Sequence, residues 1–308
     1  MYTAFYGLKE EPFRLTPDPR FLHLAEPHRA VLKGLIYGIV YRKGFVVTTG
    51  AAGTGKTTLL HTTLQILNKK FTGDLRISSA LIVNPTVTRE ELLELVLDEF
   101  EVHCTASTKP RRLAALHEHL LATNRRGATS ALIVDEAHLM SPELLEEIRL
   151  LSNVDTYQEK LLQIVLSGQP ELAEVLAGPR MVAIRQRIAI RQHLRPLTAP
   201  ETRAYVAERL YASGLRGETL FRSESLEAIH VCAQGIPRVI NLLCDNCLAL
   251  GYDAKLKQIG PDIVHDAAAM LGISEQTSPH DMDSAIPDSD LNLTRPVAAR
   301  QASSRGEA

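Results

Sequence analysis

GAAGTGKTTLL, residues 50–60, decides how this chain is read. Gly50, Gly53 and Gly55 let backbone N–H groups turn inward around an anion, and a helix starting just after them would aim its positive end at the same charge. Lys56 would reach the terminal phosphates of a nucleoside triphosphate, and the Thr57 hydroxyl would ligate Mg²⁺. The candidate nucleotide contacts are therefore Gly50, Ala51, Ala52, Gly53, Thr54, Gly55, Lys56, Thr57 and Thr58.

The flanks fit a phosphate loop. GFVVTTG (44–50) is a short apolar run that the loop closes, and TTLLHTTLQILNKK continues at helical spacing. The alternation then recurs. SSALIVN (78–84), SALIVDE (130–136), LLQIVLSG (161–168) and IAIRQHLRPL (188–197) read as strands. Helices are predicted over 88–100, over 111–125 and from a Ser141-Pro142 cap, with a short one before the fifth strand. Near-continuous apolar strands separated by helices imply an α/β fold, a parallel sheet covered on both faces.

From about Thr198 the strand signal stops and four helical stretches follow. The domains read as a proline-containing head with an amphipathic helix near 27–41 (1–43), an α/β nucleotide-binding domain (44–197) and a helical domain (198–273). A polar tail (274–308) is predicted to be disordered.

ALIVDEAH adds a second element. Asp135 falls at the C-terminal end of a buried strand, where open parallel sheets bind ligands, and would hold the Mg²⁺. Glu136 follows on the other side of the pleat, placed to polarise an attacking water. QIVLSGQPEL supplies Ser167 and Gln169 at another strand end, one of which would lie beside the γ-phosphate. Arg238, in GIPRVIN at the start of a helix, is a candidate phosphate contact from the helical domain, with a buried ion pair as the plain alternative. Arg180, Arg185, Arg187, Arg191, Arg195, Arg203 and Arg209 face only Glu201 and Glu208, an excess of five positive charges. Three readings compete for them: a subunit interface carrying a finger for a neighbour's nucleotide, a patch for nucleic-acid backbone, or a solvated surface.

Composition narrows the class. Of 308 residues, 45% are hydrophobic and 23% charged, and the formal charge of -2 gives no bulk attraction to nucleic acid or anionic membrane. No uncharged apolar run approaches the about 18 residues a membrane helix needs, so no direct membrane insertion is expected. The acidic start MYTAFYGLKEEPF does not read as a signal peptide, which points to the cytoplasm. Cys244 and Cys247 form a CxxC on one helix face without two further ligands nearby, and read as buried thiols rather than a zinc site.

In order, these motifs resemble an AAA+ ATPase. More narrowly, MYTAFYGLKEEPFRLTPDPRFLHLAEPHRAVLKGLIYGI, LSGQPEL, RQRIAIRQHLRPL and GIPRVINLLCDNCL resemble the general secretion pathway protein A (ExeA-type) ATPases over roughly residues 1–270. The resemblance implies ATP as the nucleotide, a sheet of order 5-1-4-3-2 with a C-terminal helical lid, and an adenine pocket walled by the head and the helix near His28. It implies that Ser167 or Gln169 senses the γ-phosphate, that Arg187 is the finger, with Arg185 and Arg191 close by, and that Arg238 is the second sensor. It further implies ATP-dependent homo-oligomers acting on a secretion or envelope-assembly partner. Longer members add a membrane helix and a periplasmic peptidoglycan-binding region; neither is read in this chain, so an envelope link is expected to run through another protein. The same core is similar to the TniB-type ATPases of transposition, for which the arginine series would contact DNA. A nucleotide-gated scaffold with negligible turnover is a third class, against which Glu136 speaks.

Overall fold

Five short strands make one sheet in a computed structural model that describes residues 2–15, 24–70, 76–106, 108–155, 159–217 and 219–273. They are β1 (Phe45–Gly50), β2 (Ile77–Ile82), β3 (Thr129–Val134), β4 (Leu162–Gly168) and β5 (Ile188–Leu194). All pair in parallel, in the order β2-β3-β4-β1-β5. This is the order 5-1-4-3-2 that the resemblance implies. It inserts β4 between β1 and β3. Thr48 pairs with Ser167 and Val134 with Leu166, so the chain leaves β1, β3 and β4 at adjacent points on one sheet edge.

Alternate strand residues feed two layers. Phe45, Val47, Leu132, Val134, Ile164 and Leu166 pack against α4 (Arg89–Glu99), α5 (Lys109–Arg125), α6 (Pro142–Leu151) and α7 (Pro170–Ala177). Val46, Ala131, Ile133 and Val165 pack against α2 (Glu26–Val40) and α3 (Lys56–Lys70). Burial on both faces is why β1, β3 and β4 consist of fully buried residues. β5 differs from the continuous apolar strand expected. It is an edge strand, and Ala189, Arg191 and His193 face outward while Ile188, Ile190 and Gln192 are half-buried.

Local chemistry fixes the helix starts. Thr88 with Glu91 and Thr198 with Glu201 form reciprocal capping boxes for α4 and for α9 (Ala199–Ala212), and Ser141 Oγ accepts the Leu144 N–H at α6. A four-residue helix, α8 (Val182–Arg185), precedes β5. The lid comprises α9, α10 (Ser223–Ala233), α11 (Pro237–Asp253) and α12 (Pro261–Met270). Ile229, Ile240, Leu243, Leu248 and Val264 fill its core. Cys244 and Cys247 are buried there as well, and burial pushes the Cys247 thiol up to about 12 and the Cys244 thiol well above its usual range. Both are neutral core groups.

The stretch read in sequence as one head, residues 1–43, makes two separate sets of contacts. Helix α1 (Tyr2–Phe5) and the residues to Arg14 lie on the lid. Tyr2 Oη donates to Asp245, Tyr6 Oη donates to the Leu256 carbonyl at 3.1 Å, and buried Arg209 donates to the carbonyls of Pro12 (2.6 Å) and Arg14 (3.1 Å). Helix α2 instead packs on the sheet. The expected disordered tail, 274–308, lies outside the described residues.

Candidate active site

The phosphate loop runs from Gly50, the last residue of β1, to Lys56, the first of α3, with Thr57 and Thr58 in that helix's first turn. Gly53 (φ +74) and Gly55 (φ +101) take up the left-handed backbone that lets the loop curl. Ala51 and Ala52 lead from Gly50 into the turn at 52–53, and Thr54 Oγ1 ties the loop by donating to the Ala51 carbonyl at 2.8 Å. His28 Nε2 braces the outside, 3.0 Å from the Thr54 carbonyl. Lys56 is buried, its amine donating to the loop carbonyls of Gly50 (2.8 Å) and Ala51 (3.0 Å). A cation thus stands at the centre of a ring of backbone groups.

Thr57 Oγ1 donates to Asp135 Oδ2 at 2.6 Å, which joins the loop to the end of β3. The other carboxylate oxygen accepts from Ser167 Oγ at 2.8 Å and from the Glu136 N–H at 3.0 Å. Asp135 is only 1% exposed and Ser167 0%, so these bonds orient the carboxylate in a low-dielectric setting. A hydroxyl and a carboxylate side by side next to a phosphate cradle are the hard oxygen donors that suit Mg²⁺. The residues fit the ion.

Glu136 takes a left-handed backbone (φ 50, ψ 34), and its Oε2 lies 3.3 Å from His138 Nδ1. Gln169, the N-cap residue of α7, contacts His138. The two polar residues at the end of β4 therefore serve different partners: Ser167 touches Asp135, and Gln169 touches His138.

Arg238 meets the loop from the lid. Its backbone N–H donates to the Gly53 carbonyl at 3.2 Å, and its stem lies over Gly53, where an added Cβ would fall 2.8 Å from Arg238 Cβ. Arg187 is bound elsewhere in its own subunit, Nη1 donating to Ser152 Oγ at 2.8 Å at the C-terminus of α6. Arg185 donates to the carbonyls of Leu176, Ala177 and Gly178 and so closes the end of α7. Arg191 is exposed on β5.

Much of the arginine series is paired with acids of its own chain. Arg180 pairs with Glu143, Arg195 with Glu26 and Glu201, and Arg203 with Glu227, while Arg209 is buried in the lid. Six of the seven arginines thus have a local partner, and Arg191 is exposed.

His138, which touches the site, and Ser152, which holds Arg187 apart from it, had no role in the sequence reading. His138 stands three residues after Asp135 in the DEAH stretch, and that spacing was its available signal. Ser152, which holds Arg187, gave none.

A family model described as an AAA domain matches residues 40–176. Cdc6p from Pyrobaculum aerophilum aligns over 84% of this chain and 70% of its own, with a TM-score of 0.63 and 18% identity. Drosophila ORC bound to DNA aligns over 89% of this chain and 67% of its own, with a TM-score of 0.64 and 17% identity. With the sheet order and the loop described above, these define the class: this is an AAA+ P-loop protein. Its relative among curated proteins is general secretion pathway protein A of Aeromonas hydrophila, 40% identical over 278 residues. That match takes in 90% of this chain, which spans about half (50%) of the relative's length. The chain has the AAA+ P-loop fold, carries an AAA domain over residues 40–176 and is related to general secretion pathway protein A.

Proposed function

We propose that this chain is a Mg²⁺-dependent ATPase that drives or switches assembly of a secretion or envelope complex from the cytoplasm. The observation that carries the reading is the 2.6 Å bond between Thr57 and Asp135, which unites the phosphate loop and the acidic strand end in one site. When bound, Mg²⁺ would offset phosphate charge there. Thr57 and Asp135 would hold it, Lys56 would bind the terminal phosphates, and Ser167 would keep Asp135 oriented. Glu136 would take a proton from water attacking the γ-phosphate in line. Arg238 would report phosphate occupancy to the lid. Arg187 would serve a neighbouring subunit's site, so that turnover requires a homo-oligomer. The relative's name supports the secretion setting. Among the described residues no helix is long and apolar enough to cross a membrane.

The second reading, a DNA-binding ATPase of the transposition type, draws on the fold shared with the DNA-bound ORC structure. The dispersal of the arginines into local pairs counts against it. The test is ATPase rate per subunit against protein concentration, with and without duplex DNA. A rate that climbs with concentration and ignores DNA is the expected result. Stimulation by DNA would move the assignment to the second reading.

A further inference from the structure

Glu136 is under two restraints that the hydrolysis scheme does not itself use. Its left-handed backbone is one that non-glycine residues adopt rarely and keep only where surroundings hold it. Its carboxylate lies against His138, which belongs to the short 3-10 turn Ala137–Leu139 just after it. That turn is pressed onto the end of β4, where a Cβ added to Gly168 would come 3.0 Å from the His138 backbone nitrogen. The backbone that carries the imidazole is thus seated against β4.

The tautomer of His138 follows from its other neighbour. Gln169 Nε2 lies 3.1 Å from His138 Nε2. An amide nitrogen only donates, so Nε2 accepts and the ring proton sits on Nδ1, 3.3 Å from Glu136 Oε2. The Gln169 backbone N–H also approaches Nδ1, at 3.4 Å; the Nδ1–H tautomer gives up that long contact and meets two others, the Glu136 carboxylate and the Gln169 side-chain amide. In the other neutral tautomer, with the proton on Nε2, a bare nitrogen would face the Glu136 carboxylate with no proton between them.

We propose that His138 is a positioning residue for Glu136, an N–H donor that sets where the carboxylate stands, and that Gln169 fixes its tautomer. The inference rests on the ATPase reading and names two residues that this reading leaves without that role. It also gives β4 a double function. Its end touches Asp135 through Ser167 and Glu136 through Gln169 and His138, so a shift of this one segment displaces both acids together.

The test uses the full chain, with steady-state ATPase kinetics, ATP affinity by titration, and Glu136→Gln as reference. His138→Ala should lower kcat roughly ten- to a hundredfold while KM and ATP affinity stay within about twofold. His138→Gln, which keeps an N–H donor, should recover much of the loss. Gln169→Ala should slow turnover, and adding it to His138→Ala should cost nothing more, because the two act through one path. The proposal is overturned by His138→Ala turnover within about twofold of the parent, by ATP affinity falling in step with kcat, or by independent losses in the double variant. Parent turnover no faster than that of Glu136→Gln would instead sink the ATPase reading, and this inference with it.

Discussion

Ser167 and Asp135 share a 2.8 Å hydrogen bond between neighbouring strand ends, with the serine wholly buried. Ser167→Ala leaves one carboxylate oxygen with only the Glu136 N–H. The expected cost is about 1–2 kcal/mol of stability, read by urea unfolding, together with slower ATP turnover. Unchanged turnover would mean that Asp135 needs no such brace.

Arg187 is expected to act across a subunit boundary. Arg187→Ala should bind ATP normally yet lose turnover, roughly a thousandfold. Mixed with Glu136→Gln subunits it should regain activity, because its own intact Glu136 would receive a neighbour's arginine. A mixture no faster than its parts would place the arginine's action within one subunit or remove it from catalysis.

Gly53 is where lid and phosphate loop touch. An alanine there must adopt φ +74, with its Cβ 2.8 Å from Arg238 Cβ and 3.1 Å from Ile236 Cγ2. Neither neighbour is the free end of a flexible chain, so the lid must move. Gly53→Ala should weaken ATP binding roughly tenfold, measured by fluorescent-nucleotide titration. Parent-like affinity would show that lid contact is dispensable for binding.

Glu201 ties the chain entering the lid. Its hydrogen bonds to Arg195 hold its pKa down at about 2, from an ordinary 4.5. A depressed carboxylate stabilises the fold above its unfolded pKa, and that contribution fades as pH falls from about 4.5 towards 2. Glu201→Gln should therefore cost about 1–2 kcal/mol at pH 7, a figure discounted because Arg195 is partly exposed. The gap between variant and parent should close as unfolding is repeated at successively lower pH. A gap independent of pH would show that the charge of Glu201 does not carry the effect.

Much of this architecture is legible in the chain, for identifiable reasons. The phosphate loop and Thr57 are local, because one turn and one helix start carry them. T-x-x-E at 88–91 and 198–201 announces two helices through bonds that each close within four residues. Strand order is not local. β4 lies between β1 and β3 through long crossovers, and only the family resemblance supplied that order. β5 read as a buried strand because Ile188 and Ile190 are apolar, although an edge position exposes Ala189, Arg191 and His193. The arginines looked like a patch because spacing along the chain says nothing about which acidic residues the fold brings to each. His138 escaped notice because its partners, Glu136 and Gln169, meet only once the 3-10 turn lies against the end of β4.

The opposite allegiances of residues 2–14 and α2 have a mechanical consequence. The chain passes between the lid and the sheet layers twice, once between Arg14 and Glu26 and once between Leu194 and Ala199. Whatever nucleotide binding does to the loop beneath Arg238, a lid that moves takes residues 2–14 with it, while α2 stays with the sheet.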